Sequence, residues 1–542
     1  MRVATAVGRA LVDAGVNQVF GVVGSGNFHV TNAMVAAGAR FVAARHEGGA
    51  ATMADAFART TDRVAAVTVH QGCGLTNAMT GLTEAAKSRT PVVVIAAEVQ
   101  QPRSNFYVDQ AGLAAAVGAV ALRVDEPATA VAVAHEAVRT ARHDRRTVLL
   151  NLPLPVQGLE VAAVSSPPAP TEPAALPPWE PDVDRLVDAV ARAERPVFVA
   201  GRGARRYRQE LSRAAERAGA LLAESAVARG LFQDDPWSVG VSGGFASPGA
   251  AELIRAADLV VGWGCALNMW TMRHGRLIAP GATVVQVDDT ADALGAHREL
   301  TFGVLGDVGV TASELADRLP EDHPGYRTET VRERLDVGID WRTVPFDDRT
   351  GDGRIDPRTL TLALDRMLPV ERVVAVDSGN FMGYPSTFLG VPDERGFCFT
   401  QAFQSIGLGL PTAIGAALAM PDRLAVAALG DGGALMTAME LETVVRLGLD
   451  MLVVVYNDHA YGAEVHHFGP DEFPLDTVVF PDTDIAAIGR GFGFEAVTVT
   501  EPGDLDAVRS WVAGPRHRPM LLDAKVVADE PSWWLEEAFR GH

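Results

Sequence analysis

An α/β fold of three doubly wound parallel-sheet domains is predicted by three observations. Short apolar runs alternate with amphipathic stretches through residues 1–160, again through 182–319, and again through 358–542. A segment rich in Pro, Ala and Ser, residues 161–181 with Ser165-Ser-Pro-Pro-Ala-Pro170, reads as a linker. A polar, acidic stretch, residues 320–357, reads as an extended connector.

The first block opens on an amphipathic helix, Val3–Ala14, and a strand, Gln18–Val23, that ends in Gly24-Ser25-Gly26-Asn27. Strand Arg40–Ala44, helix Glu47–Arg59 and strand Val64–His70 follow. The turn Gln71-Gly-Cys-Gly74 leads to helix Leu75–Ala86 and strand Val92–Ala97. Strands Pro196–Ala200, Leu259–Trp263 and Thr283–Val287 mark the second block. Its Gly201-Arg-Gly203 is a lone G-x-G, better read as a strand–helix turn than as a nucleotide cradle. In the third block, strand Arg372–Val376 ends in Asp377-Ser-Gly-Asn380, and Gln404-Ser405-Ile406-Gly407 precedes a helix, Pro411–Met420.

Composition bounds the possibilities. A chain of 542 residues accommodates two to four domains. Hydrophobic content of 48% with mean hydropathy +0.11 allows large cores. Net charge of −21 argues against nucleic acid or an anionic membrane as partner. Cys73, Cys265 and Cys398 are too scattered for a metal site and suggest a reducing compartment. Met1–Asp13 lacks the pattern of a signal segment, and no run of 18 apolar residues occurs, so a soluble, cytoplasmic protein is expected.

One stretch late in the chain carries the chemistry. Strand Leu424–Leu429 runs into Gly430-Asp431-Gly432-Gly433, a turn too tight for side chains. A helix, Ala434–Gly448, and a strand, Met451–Tyr456, then lead to Asn457-Asp458. Right-handed crossovers bring the two acidic strand tips together at the carboxyl edge of a parallel sheet. Glycine amides there can reach phosphate oxygens, and two hard oxygen ligands beside them suit Mg²⁺. A second such triplet, Gly351-Asp352-Gly353, follows no strand and reads as a turn.

Gly430-Asp431-Gly432 with a ligand 27 positions after Asp431 resembles the binding motif of thiamine-diphosphate (ThDP) enzymes. The block order resembles the decarboxylase and acetolactate-synthase branch: pyrimidine-binding (1–160), middle (182–319) and diphosphate-binding (358–542). The resemblance implies Mg²⁺ held on the diphosphate by Asp431, Asp458 and the Ala460 carbonyl. Asp458 departs from the pattern, standing where Asn is usual and adding a negative charge beside the diphosphate.

Read alone, Glu47 in Arg45-His46-Glu47-Gly48-Gly49-Ala50 is an acidic first-turn residue favoured by the helix dipole. Beside the late motif it is similar to the family's glutamate, which implies a carboxyl in a dry pocket against the aminopyrimidine N1′. The resemblance further implies that the Ile406 side chain bends the cofactor while the Gln404 carbonyl accepts from its 4′-amino group. Asp377, Ser378, Gly379 and Asn380, with Gly432 and Gly433, would contact the diphosphate. Ser25 and His70 match the serine and histidine of benzoylformate decarboxylase, and Gln71 could assist. A lone strand-end His is otherwise structural. Glu464 stands where pyruvate decarboxylase has a proton-relay glutamate, although by itself it reads as an exposed helix acid. At His467 the acetolactate synthases carry a tryptophan. Their acceptor-gripping arginine is missing near Gly264-Cys265-Ala266-Leu267, with Arg273 a possible substitute.

The implied activity is decarboxylation of a small 2-oxo acid to an enamine that adds to an aldehyde or keto acid acceptor, as in acetolactate synthase. The alternatives are a plain 2-oxo acid decarboxylase, an FAD-using oxidase and a non-catalytic relative. Because the family's glutamate and diphosphate motif come from different chains, the resemblance implies at least a homodimer, commonly a homotetramer.

Overall fold

A computed structural model of the chain describes residues 1–162, 171, 174–320, 323 and 325–535. It contains three six-stranded parallel sheets. The first is built from β1 (Gln18–Gly21), β2 (Arg40–Ala43), β3 (Ala65–Val69), β4 (Val92–Glu98), β5 (Val120–Arg123) and β6 (Val148–Pro153), in the order β2-β1-β3-β4-β6-β5. The second holds β7 (Pro196–Ala200), β8 (Leu221–Glu224), β9 (Ser238–Val241), β10 (Leu259–Trp263), β11 (Thr283–Asp288) and β12 (Phe302–Leu305), ordered β12-β11-β10-β7-β8-β9. The third holds β13 (Arg372–Val376), β14 (Phe397–Phe399), β15 (Leu424–Gly430), β16 (Met451–Asn457), β17 (Glu495–Val499) and β18 (Met520–Lys525), ordered β14-β13-β15-β16-β18-β17.

The predicted three-sheet α/β architecture is thus present. The central strands are almost continuously apolar because helices cover both faces of each sheet. All five residues of β3, Ala65-Ala-Val-Thr-Val69, are buried. Adjacent residues serve opposite faces, so Val19 and Phe20 enter different cores. Phe20, Val67 and Val94 of the first sheet lie in one continuous core with Ala375, Ala427 and Val455 of the third. Helices Glu47–Thr61 and Gly409–Ala419 pack together within it. The second sheet keeps its own cores on its two faces.

Two expectations change. The single helix expected over 434–448 is two, Asp431–Met436 and Glu440–Leu447, separated at Thr437 where φ is −124°. The break turns Glu440 inward, where its carboxylate accepts the Arg45 and His46 N–H groups at 3.0 and 3.1 Å. The expected extended connector contains helix Glu329–Gly338, started by Thr328 accepting from the Val331 N–H and fixed by Val331 in the second block's core. Much of the expected 161–181 linker falls on residues 163–170 and 172–173, outside the described residues.

Candidate active site

Strands β13, β15 and β16 are neighbours in the third sheet, and their C-terminal ends carry Asp377, Asp431 and Asp458. The chain leaves β13 toward one edge and β15 toward the other, so the crevice between them is a topological switch point. Asp377 is fully buried. Its Oδ1 accepts the Ser378 N–H at 2.8 Å and its Oδ2 the Gly407 N–H at 3.0 Å. Burial nevertheless pushes its carboxyl up to about 7. A Cβ on Gly433 would fall 2.2 Å from Asp377 Oδ2, so no side chain fits at that position.

Asp431 begins the short helix after β15 and is buried. Asp458 is half-buried, and its Oδ1 accepts the Ala460 N–H at 3.2 Å. Burial raises both carboxyls above their ordinary range. The two face each other closely enough to hydrogen-bond, and the Asp431 charge lifts Asp458 further. The Tyr461 ring packs over Gly432, and Asn380 is fixed by Ser532, whose N–H reaches its Oδ1 at 3.2 Å. A cavity of about 1790 Å³ opens here. Asp431, Asp458, Ala460, Gln404 and Ile406 line it, with Gly379, Asn380, Gly432, Gly433 and Glu464 also on its surface. Glu464 is half-buried in helix Gly462–Phe468 rather than exposed.

The remaining expected residues form a second cluster at the C-terminal edge of the first sheet. His70 Nδ1 accepts the Gly26 N–H at 3.2 Å, which leaves the proton on Nε2. The Phe106 ring meets the imidazole edge-on, with centroids 5.4 Å apart. Gln71 is buried against Gly26, and its Oε1 has no hydrogen-bond partner among the described residues. Glu47 Oε1 and His70 both approach Gly74, and Asn77 Nδ2 donates to Glu47 Oε2 at 3.1 Å. Ser25 is exposed in the neighbouring loop. None of Ser25, Glu47, His70 and Gln71 lines the large cavity. The dry surround expected for Glu47 is not supplied by the single chain, where this side chain is half-exposed. Arg273 does not line the cavity either, because its guanidinium is drawn to the Gly243 and Ala246 carbonyls, each at 2.9 Å.

Asp377, expected among the diphosphate contacts, has its carboxylate taken up by main-chain N–H groups, and two acids escaped the sequence reading: Glu440, the acceptor behind Glu47, and Glu84, fully buried on a helix. Only Glu84 carries a signal, an acid within the otherwise apolar part of its helix.

The residues present fit a metal–diphosphate. Two facing carboxylates with raised affinity for protons are the arrangement a divalent cation relieves. No group of three or more His, Cys, Asp or Glu side chains suited to a metal occurs among the described residues. The Gly201-Arg-Gly203 turn does not fit a flavin's phosphates. Its glycine N–H groups donate to the Trp263 and Gly264 carbonyls at 2.9 and 3.1 Å. A Cβ on Gly201 would fall 2.2 Å from the Gly264 oxygen, so contact with the neighbouring turn explains this glycine.

Residues 1–119 match the family described as thiamine pyrophosphate enzyme, N-terminal TPP binding domain; residues 183–315 match its central domain, and 377–524 its C-terminal TPP binding domain. The acetolactate synthase large subunit of Parasynechococcus marenigrum is 27% identical over 91% of this chain and 83% of its own. A sulfoacetaldehyde acetyltransferase of Alcaligenes xylosoxydans is 27% identical over 83% of this chain and 80% of its own. A probable 2-ketoarginine decarboxylase of Pseudomonas aeruginosa is 28% identical over 92% and 89%. Among solved structures, the thiamine diphosphate-dependent 4-hydroxybenzoylformate decarboxylase of Rhodococcus jostii superposes with a TM-score of 0.81 at 21% identity, covering 98% of this chain and 100% of that one, which is a likeness of fold. Among the described residues, no helix is long and apolar enough to cross a membrane.

Proposed function

The chain belongs to the thiamine-pyrophosphate enzyme family, and from that premise we propose that it is a Mg²⁺-dependent carboligase of the acetolactate-synthase kind, joining a small 2-oxo acid to an aldehyde or keto acid. The observation that carries the cofactor assignment is the facing pair Asp431 and Asp458 at the switch point. When bound, ThDP supplies a nucleophilic carbon and an electron sink for loss of CO₂.

Asp431, Asp458 and the Ala460 carbonyl would hold Mg²⁺, and the Gly432–Gly433 and Gly379–Asn380 segments would meet the diphosphate. Ile406 would support the cofactor from below, with the Gln404 carbonyl accepting an N–H from its pyrimidine. Glu47 would hold a proton against the pyrimidine of a cofactor bound to a second copy of the chain. Its half-exposed position in the single chain supports that arrangement. A homodimer at least, commonly a dimer of dimers, follows, and full turnover by a monomer in light scattering would refute it.

A second reading, plain decarboxylation, is favoured by His70. Its Nδ1 is occupied by the Gly26 N–H, so its Nε2–H is a fixed proton donor. Ser25 and Gln71 would hold the substrate carboxylate beside it, and Glu464 would relay protons. Mass spectrometry of products from a 2-oxo acid panel, with and without an aldehyde acceptor, separates the two. Hydroxyketone or 2-hydroxy acid supports the carboligase; free aldehyde in both arms supports the decarboxylase.

A further inference from the structure

The segment between β14 and helix Gly409–Ala419 belongs to the third block, yet one of its anchors comes from the first. Glu84 lies near the end of helix Cys73–Lys87. Its Oε2 accepts the Phe403 N–H at 2.7 Å and its Oε1 the Ala402 N–H at 3.1 Å. Ser88 Oγ and Arg59 Nη2 donate to the same Oε1, each at 3.1 Å. Arg59 is itself paired with Asp55 and donates to the Phe399 carbonyl at 2.8 Å. At the other end of the segment, Asp377 takes the Gly407 N–H. Residues 402–407 are therefore suspended between a buried carboxylate of the first block and one of the third.

Gln404, directly after the Glu84 contacts, has φ of +62°. That left-handed conformation costs a non-glycine residue roughly 1–2 kcal/mol and persists where surrounding contacts over-determine it. A carboxylate accepting two consecutive main-chain N–H groups fixes both peptide planes, and such charge-assisted bonds are about twice as strong as neutral ones. Ala402 and Phe403 are otherwise exposed, so beyond the Lys87 ammonium 5.8 Å from the Phe403 ring centre little else restrains them.

We infer that Glu84 is a positioning residue, which sets from the first block where Gln404 and Ile406 present themselves to the cofactor. The importance of that position rests on the function proposed above; the contact itself does not. Each first block then serves two sites, one through Glu47 across the subunit boundary and one through Glu84 within its own chain.

The test is hydrogen–deuterium exchange of the unloaded full-length protein, with calorimetric titration of Mg²⁺–ThDP. In the wild type the Ala402 and Phe403 amides should exchange slowly although their residues are exposed. Glu84→Gln should speed both at least tenfold, since an amide N–H would then face a main-chain N–H, and should weaken ThDP about tenfold. Ser88→Ala disturbs the same buried network without touching either amide and should change neither readout. Fast exchange of both amides in the wild type overturns the inference, as does Glu84→Gln changing nothing or Ser88→Ala matching its whole effect. If Glu84→Gln does not fold, the wild-type exchange decides alone. If the wild type does not bind ThDP, the proposed function fails and the exchange still judges Glu84.

Discussion

The two clusters at the sheet edges are built in opposite ways. In the third block, Asp377 is buried and committed to main-chain N–H groups, Asp431 meets Asp458 beside a large cavity, the Tyr461 ring packs over Gly432, and Ser532 holds Asn380. In the first block, Ser25 is exposed, Glu47 half-exposed, and Gln71 Oε1 lacks a partner among the described residues. Under the proposed function, the buried carboxylates of one chain are those that would hold the metal–diphosphate. The other end presents its groups to a covering surface, which under the proposed function is a second copy of the chain.

The largest effect is expected at Glu47. Glu47→Gln should leave ThDP affinity within about threefold while lowering turnover about 10³-fold, in the range for loss of a general acid–base group. Equal losses in affinity and rate would show that the first cluster also builds the binding site. At the opposite end, Asp431→Asn should weaken Mg²⁺–ThDP about 100-fold, or about 2.7 kcal/mol, by calorimetry. A wild-type affinity would mean that the paired carboxylates are not the metal site.

The buried carboxylates of the third block also make stability depend on pH. Burial raises Asp377 to about 7, so between about pH 4 and 7 the folded chain holds a proton that the unfolded chain releases. Its contribution to stability is present at the acid end and lost as pH climbs through 7, at up to about 1.4 kcal/mol per pH unit for one group. Asp431 and Asp458 are shifted in the same direction. Melting curves of unloaded protein should therefore fall from pH 5 to 8, with the gap to Mg²⁺–ThDP-loaded protein widening. A gap that narrows would contradict the assignment. The smallest effect is expected from Asp458→Asn, which removes one of two facing charges and should bind ThDP equally well or up to about tenfold tighter. A large loss would make the second carboxylate specifically necessary.

Much of this was legible in the sequence because it is local. Strands such as β4 and β16 are unbroken apolar runs, and a glycine turn between two of them marks a strand tip whatever surrounds it. Asp431 and Asp458 were readable for that reason. The break at Thr437 was not, because what favours it is the reach of Glu440 to amides nearly 400 positions earlier. Asp377 and Glu84 were equally hidden as anchors, since their partners lie 30 and 318 positions away. The helix within the 320–357 connector was missed because polar composition outweighed Val331, which sits in a core, and Leu335, which packs against it.

The continuous core beneath the first and third sheets bears on how the molecule comes apart. Exposing Phe20, Val67 and Val94 to water also strips cover from Ala375, Ala427 and Val455, so neither sheet can loosen alone. The strands of the second sheet lie in separate cores, and its block meets the third through loop side chains such as Phe245 against Phe399 rather than through a core shared by two sheets. Heating should thus release the outer pair as one calorimetric unit and the middle as another, giving two transitions where three sheets would suggest three.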